Sequence, residues 1–95
     1  MSDEKTKMIF FTFAKIEAAR ERESYLSVAK GEVAKLPGVN NIYLAFGTKD
    51  LVIIHESHDI KVAMDTAFKI RSIPGVIDTE TMVCLEISEV VSAFK

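Results

Sequence analysis

Hydrophobic positions along the chain recur with two periods, and these periods predict six secondary-structure elements. Stretches that are continuously apolar or alternate apolar and polar residues predict four strands, at residues 7–16, 41–46, 50–56 and 76–87. Apolar residues three and four apart predict two helices, one opening within residues 17–23 and running to about Lys35, the other from Ile60 to about Ser72. The predicted order is therefore strand, helix, strand, strand, helix, strand.

The chain repeats one short sequence after each predicted helix. Leu36-Pro37-Gly38-Val39 precedes the second strand, and Ile73-Pro74-Gly75-Val76 precedes the fourth. Proline cannot continue a helix, and glycine tolerates the left-handed backbone that closes one. Together with the element order, this repeat predicts an α+β fold of the ferredoxin-like βαββαβ type. In that fold both helices cover one face of a four-stranded antiparallel sheet.

The first and third predicted strands are apolar on both faces. Successive side chains of a strand point to opposite faces, so Phe10 and Phe11 lie on different sides, as do Val52 and Ile53. The helices can bury only one of these faces, and soluble monomers rarely expose a large apolar patch. The pattern therefore predicts that two subunits pack sheet against sheet.

Length and charge narrow the class of protein. Ninety-five residues make one domain, predicted at residues 7–95 after a flexible N-terminus at 1–6. The net charge of −2 gives no electrostatic footprint for nucleic acid, and no apolar run approaches the roughly 20 residues of a membrane span. The polar start is unlike a signal peptide, and the single cysteine, Cys84, excludes an internal disulfide. A cytoplasmic protein without nucleic-acid or membrane contact is expected.

The ordered motifs resemble a known family. The two PGV sequences, the Gly47-x-x-Asp50-Leu51 turn between them and Thr79-x-Thr81 after the second resemble the effector-binding half of Lrp/AsnC regulators. This half is the regulation-of-amino-acid-metabolism domain, and the resemblance covers about residues 7–87. It implies a dimeric α/β barrel or sandwich that assembles further, to an octamer or decamer, and binds amino acids or related effectors in transcription regulation. It implies no cofactor and no catalytic residue.

The resemblance also implies ligand-binding residues, namely Gly47, Asp50, Thr79 and Thr81. An amino acid needs an acceptor for its ammonium group, which Asp50 can supply, and donors for its carboxylate, which the threonine hydroxyls can supply. Tyr43 is a further candidate, as a wall of the side-chain pocket. The chain departs from the family pattern at Lys49, where an aromatic residue is common, so the effector is expected to differ from the usual ones.

The chain departs from the family before its first strand, and we expect it to be either a stand-alone effector domain, which the Met-Ser-Asp-Glu start favours, or a fragment. Family regulators carry an N-terminal helix-turn-helix, and the residues before the first predicted strand are too few for such a module. A regulatory effect is then expected through mixed oligomers with full-length Lrp/AsnC relatives, or through sensing a small molecule.

Other interpretations stay open at this point. The same fold serves cofactor-independent monooxygenases and isomerases, in which His55, Tyr43 or Asn41 would face an internal cavity. The chain could also be a heteromerisation partner without any ligand. His55 and His58 without further ligands make a weak metal site, so no metal is predicted. Residues 88–95 fit either a short helix or a strand extension.

Overall fold

A computed structural model describes residues 7–94 of the chain. It contains four strands and three helices in the predicted order, with one helix added at the end, namely β1 (Met8–Ile16), α1 (Glu21–Ala29), β2 (Val39–Leu44), β3 (Leu51–Ser57), α2 (Ile60–Arg71), β4 (Val76–Cys84) and α3 (Ile87–Ala93). A single 3-10 turn, Ala18–Arg20, leads into α1. The expected flexible segment 1–6 lies outside the described residues.

The strands form one antiparallel sheet in the order β2-β3-β1-β4, which is the ferredoxin-like arrangement. The first and second helices lie on the same side of this sheet. Phe10, Thr12 and Ala14 of β1 point toward them and are buried, because β1 lies between two neighbouring strands and beneath α2. The core continues into β3 and the segments that follow the helices, through Leu51, Ile53, Ile70, Ile73 and Val33.

The two PGV turns have the same geometry. Gly38 and Gly75 have φ angles of +81° and +91°, in the region that favours glycine. Each glycine carbonyl accepts a backbone hydrogen bond of 2.9 Å, from the N–H of Glu56 and of Glu17 respectively. The repeat in the sequence is therefore a repeat in structure, and each turn fixes the start of a strand.

Each helix is also tied to the turn of the other repeat. In α2, the Thr66 hydroxyl donates to the carbonyl of Pro37 at 3.0 Å. In α1, the Ser24 hydroxyl donates to the carbonyl of Pro74. Both hydroxyl-bearing residues are buried, so these crossed hydrogen bonds link the two halves of the fold inside its helix layer.

The predicted end of the first helix at Lys35 is wrong. The helix stops at Ala29, because Gly31 has a φ of +86° and the amides of Lys30 and Gly31 turn back to the carbonyls of Leu26 and Val28. The apolar spacing continues through Val33, which is buried in a series of turns rather than in a helix.

The C-terminal segment is a helix and not a strand extension. Strand β4 ends at Cys84, short of the predicted Ile87, and α3 follows after two residues. This helix carries an apolar stripe whose members, at spacings of three and four, are all exposed: Ile87, Val90, Val91 and Phe94. Within residues 7–94, none of the helices is long and apolar enough to cross a membrane.

Candidate functional site

A cavity of about 310 Å³, open to solvent on one side, lies on the helix side of the sheet, between α2 and the edge strand β4. Its polar lining consists of Arg71, Thr79 and Thr81, and most of the remaining lining is apolar, including Phe10, Met64 and Phe68. This volume is at the lower end of the usual range for ligand pockets, about 300–1,000 Å³. The cavity therefore suits a molecule about the size of an amino acid.

The strand register explains why two threonines line this cavity. Thr79 pairs with Ala14 and Thr81 pairs with Thr12, so both threonines share the helix-facing side of the sheet with those buried β1 residues. Strand β4 is the sheet edge, and the helix layer covers it less fully than β1. Their hydroxyls are thus held on a rigid strand at the wall of the cavity.

A chain of hydrogen bonds leads from the cavity wall into the core. The hydroxyl oxygens of Thr81 and Thr12 are 2.9 Å apart, and the Thr12 oxygen lies 2.8 Å from Nε2 of His55. Thr12 and His55 are completely buried, and the imidazole stacks on Phe10 with ring centres 5.3 Å apart. Nδ1 of His55 is shielded from solvent and has no hydrogen-bonding partner among the described residues.

Burial lowers the pKa of His55, because the charged imidazolium is poorly solvated in the core. In the unfolded chain the imidazole takes up a proton near its usual pKa, about 6.5. The contribution of His55 to stability is therefore complete above that pH and is lost as the pH falls from there toward the lowered pKa of the folded state.

We expect the free energy of unfolding to decrease as the pH falls from about 7 to about 5.5. His55 should contribute up to about 1.4 kcal/mol per pH unit to this decrease. Urea titrations across this range measure it. The His55→Gln variant should lose this part of the slope. The His58→Gln variant should keep it, since it retains His55, and equal slopes in both variants would refute the assignment.

The turn between β2 and β3 contains Gly47 and Asp50, and here Asp50 has a structural partner. Its Oδ2 accepts a 2.8 Å hydrogen bond from the backbone N–H of Ile16, and its own N–H donates to the carbonyl of Ala14 at 2.9 Å. Asp50 thus fastens the turn to the end of β1. Lys49 extends the connection to β4 through an ion pair with Asp78 at 3.6 Å.

Replacing Asp50 should therefore affect stability as well as any ligand. We expect Asp50→Ala to lower the free energy of unfolding by about 1.5–3 kcal/mol, the usual range for a lost hydrogen bond to a charged group. Asp50→Asn should lose less than half of that, because its amide oxygen can still accept from Ile16. Chemical denaturation of both variants measures the difference, and an equal loss would exclude this role.

The five residues predicted to bind ligand do not meet in a single chain. Thr79 and Thr81 share the cavity, whereas Tyr43 pairs with Val52 on the opposite face of the sheet. The Asp50 turn is separated from Thr79 by β1, which corresponds to about 10 Å at two strand spacings. Sequence reasoning missed Arg71 as a cavity residue, because no local pattern shows that the end of α2 lies beside β4.

The cavity does not match the enzymatic interpretation. That interpretation required His55, Tyr43 or Asn41 to face an internal pocket, and none of them lines the cavity between α2 and β4. Among residues 7–94, no group of three or more histidine, cysteine or acidic side chains is placed to hold a metal ion.

The second notable surface is the face of the sheet that the helices leave uncovered, which we call the open face. The register places eight mostly apolar residues together there: Ile9, Phe11, Phe13, Tyr43, Val52, Ile54, Met82 and Cys84. Glu56 and Glu80 lie at its margins. A continuous apolar surface with a charged margin is typical of a protein–protein interface.

The fold and the cavity define a ferredoxin-like α+β domain with a small-molecule-sized pocket beneath its second helix. The family comparison is more specific, since the model of the Lrp/AsnC ligand binding domain matches residues 12–92. The chain belongs to this family. None of the curated proteins compared with it matches in sequence.

Solved structures agree with this assignment. The structures of FFRP-DM1 and of TTHA0845 from Thermus thermophilus are each 25% identical, with TM-scores of 0.64 and 0.66. The alignments cover 82% and 83% of this chain, and 99% and 94% of those chains. AsnC of E. coli has the same fold, with 21% identity and a TM-score of 0.67, over 83% of this chain but 51% of AsnC.

Proposed function

We propose that this protein is a cytoplasmic, self-associating domain that binds an amino acid or a related small effector and acts in transcription regulation. The observation that carries the proposal is the position of Thr79 and Thr81. The family resemblance marks both as ligand contacts, and both line the cavity between α2 and β4. The match of residues 12–92 to the Lrp/AsnC ligand binding domain supports the regulatory part of the proposal.

The chemistry of the proposed site divides between two parts of the molecule. The threonine hydroxyls donate to the carboxylate of the ligand, and Asp50 accepts from its ammonium group through the carboxylate oxygen that Ile16 does not use. Within one chain, Asp50 and Tyr43 each lie apart from the two threonines. We therefore propose that a neighbouring subunit brings its Gly47–Asp50 turn to the threonines, so that the complete site forms only in the oligomer.

Self-association has two candidate surfaces. The open face is the proposed contact within a dimer, with the sheets of two subunits facing each other. The exposed stripe of α3 and the exposed Phe46 beside Gly47 are proposed contacts between dimers, toward an octamer or decamer. A full-length Lrp/AsnC relative is a further proposed partner, because it presents the same fold and can enter the same oligomer; native mass spectrometry after co-expression tests for mixed assemblies.

A panel of the twenty amino acids tests the binding proposal. At a ligand concentration 100 times Kd, binding stabilises the folded state by about 2.7 kcal/mol, so the Tm should rise clearly for at least one of them. Calorimetry then gives the affinity, and Thr79→Val with Thr81→Val should weaken it by about tenfold or more. A folded oligomer that responds to no amino acid would contradict the amino-acid part of the proposal.

A further inference from the structure

The cavity between α2 and β4 is polar at one end and apolar at the other. Arg71 and Thr79 lie at the end where α2 finishes and β4 begins, and Ile60 and Val83 lie at the opposite end. Arg71 is the only charged residue of the lining, and it forms no ion pair with any residue between 7 and 94. The lining thus offers a cation and hydroxyls for an anionic group, and no carboxylate for an ammonium group.

The buried histidine determines the direction of the hydrogen bonds that reach this cavity. Neutral imidazole carries one proton, on either Nδ1 or Nε2. Because Nδ1 of His55 has no partner within the described chain, a proton there would be an orphaned buried donor, which proteins avoid more strictly than an unused acceptor. The proton therefore belongs on Nε2, where it can be donated to the Thr12 oxygen 2.8 Å away.

The remaining directions follow from the single proton of each hydroxyl. Thr12, which accepts from His55, donates its own proton to the Thr81 oxygen at 2.9 Å. Thr81 then has its proton free to donate into the cavity, because one of the two lone pairs on its oxygen already accepts from Thr12. The opposite tautomer would reverse the direction of these hydrogen bonds. Thr81 would then donate its proton to Thr12 and offer a lone pair to a ligand instead.

We infer that this cavity binds the carboxylate of a short apolar acid, with Arg71 and the Thr81 hydroxyl as its contacts and with His55 and Thr12 as positioning residues that keep Thr81 a donor. The inference rests on the proposed small-molecule binding, but it does not require an ammonium group on the ligand. The apolar part of the acid lies along Met64 and Phe10 toward Ile60.

Three compounds with the same branched alkyl group test the ligand class: 4-methylpentanoate, L-leucine and 3-methylbutan-1-amine. In NMR titrations of the full chain, 4-methylpentanoate should shift the amides of Thr79 and Thr81, and the amine should not. Arg71→Gln should weaken the binding of 4-methylpentanoate by about tenfold or more. Lys61→Gln removes an exposed cation of the same helix outside the cavity and should leave the affinity unchanged. Absence of 4-methylpentanoate binding, or equal effects of the two variants, would overturn the inference.

Two further measurements test the positioning residues. Thr12→Val is nearly isosteric and removes the hydroxyl that links His55 to Thr81. We expect it to weaken the binding of 4-methylpentanoate by about tenfold. Long-range nitrogen–proton NMR of the unsubstituted protein reports the tautomer of His55 directly and does not depend on how the variant folds. Protonated Nε2 supports the inference. Protonated Nδ1, or a folded Thr12→Val protein with unchanged affinity, overturns it.

The outcomes separate this inference from the proposed function. Binding of 4-methylpentanoate with no response to any amino acid would retain the carboxylate site and remove the amino-acid proposal. Binding of L-leucine that is unaffected by Arg71→Gln and Thr12→Val would retain the proposed function and remove this site.

Discussion

The Gly38→Ala variant should be strongly destabilised, with a loss of more than about 3 kcal/mol in the free energy of unfolding. Two costs add. The φ of +81° is unfavourable for a residue with a side chain, and the new Cβ would overlap the backbone carbonyl oxygen of Glu56. That oxygen belongs to β3, whose neighbouring strands hold it on both sides, so it cannot move away as the tip of a side chain can. Urea denaturation followed by circular dichroism measures the loss.

Two other glycines provide matched controls for this prediction. Gly31 has a φ of +86°, but an added Cβ would meet nothing within 4 Å, so Gly31→Ala should cost only the backbone strain, about 1–2 kcal/mol. Gly47 has neither a positive φ nor a close neighbour, and Gly47→Ala should be nearly neutral. If Gly38→Ala were no worse than Gly31→Ala, the close approach to Glu56 would not contribute.

The same glycines show how far the fold could be predicted from the sequence. Proline and glycine after an apolar period are local signals, so the two PGV turns and the element order were predicted, and the structure confirms the ferredoxin-like fold. Gly31 is as visible in the sequence, yet it falls within the predicted first helix, because the apolar spacing continues through Val33. That spacing reflects burial, and a series of turns can bury a residue as well as a helix can.

The candidate site was predictable only where it depends on local pattern. Thr79 and Thr81 form a short motif on which the family resemblance rests, whereas the contact between Thr12, Thr81 and His55 depends on the register of three strands. A slip of one residue in that register would turn every side chain of a strand to the other face. His55 and Thr81 lie 43 and 69 positions from Thr12 in the chain, so their partnership is visible only in the folded sheet. Arg71 likewise becomes a cavity residue only when α2 packs beside β4.

The family resemblance predicts a ligand contact at Asp50, and the structure shows that this residue anchors the end of β1. A carboxylate after a glycine turn indicates either turn chemistry or a ligand contact, and the sequence alone sets these two interpretations against each other. Asp50 uses one oxygen to hold the end of β1, which leaves the other oxygen for a ligand. Because the anchor fixes the carboxylate in place, a structural role prepares the residue for binding rather than arguing against it.

The second large effect concerns the open face. We expect the unsubstituted protein to be at least a dimer at micromolar concentration, and Phe11→Glu to be a monomer, with a dimer dissociation constant raised by about 1,000-fold or more. Phe11 lies on β1 between Ile54 and Met82, near the centre of the open face, so the sheet-to-sheet dimer would bury the new charge without a partner. In the monomer Phe11 is only partly buried, and the variant should keep its helix content.

Sedimentation analysis distinguishes the two species, and Phe46→Glu is the matched control. Phe46 is 97% exposed on the turn after β2 and is not one of the paired strand residues that form the open face, so the same substitution there should leave the dimer intact. If the turn contributes to the contact between dimers, Phe46→Glu should reduce only the assembly of dimers into larger oligomers. A Phe11→Glu protein that sediments like the parent would exclude the open face as the dimer contact. The α3 stripe would then be the next candidate contact between two subunits, since its apolar residues are also exposed.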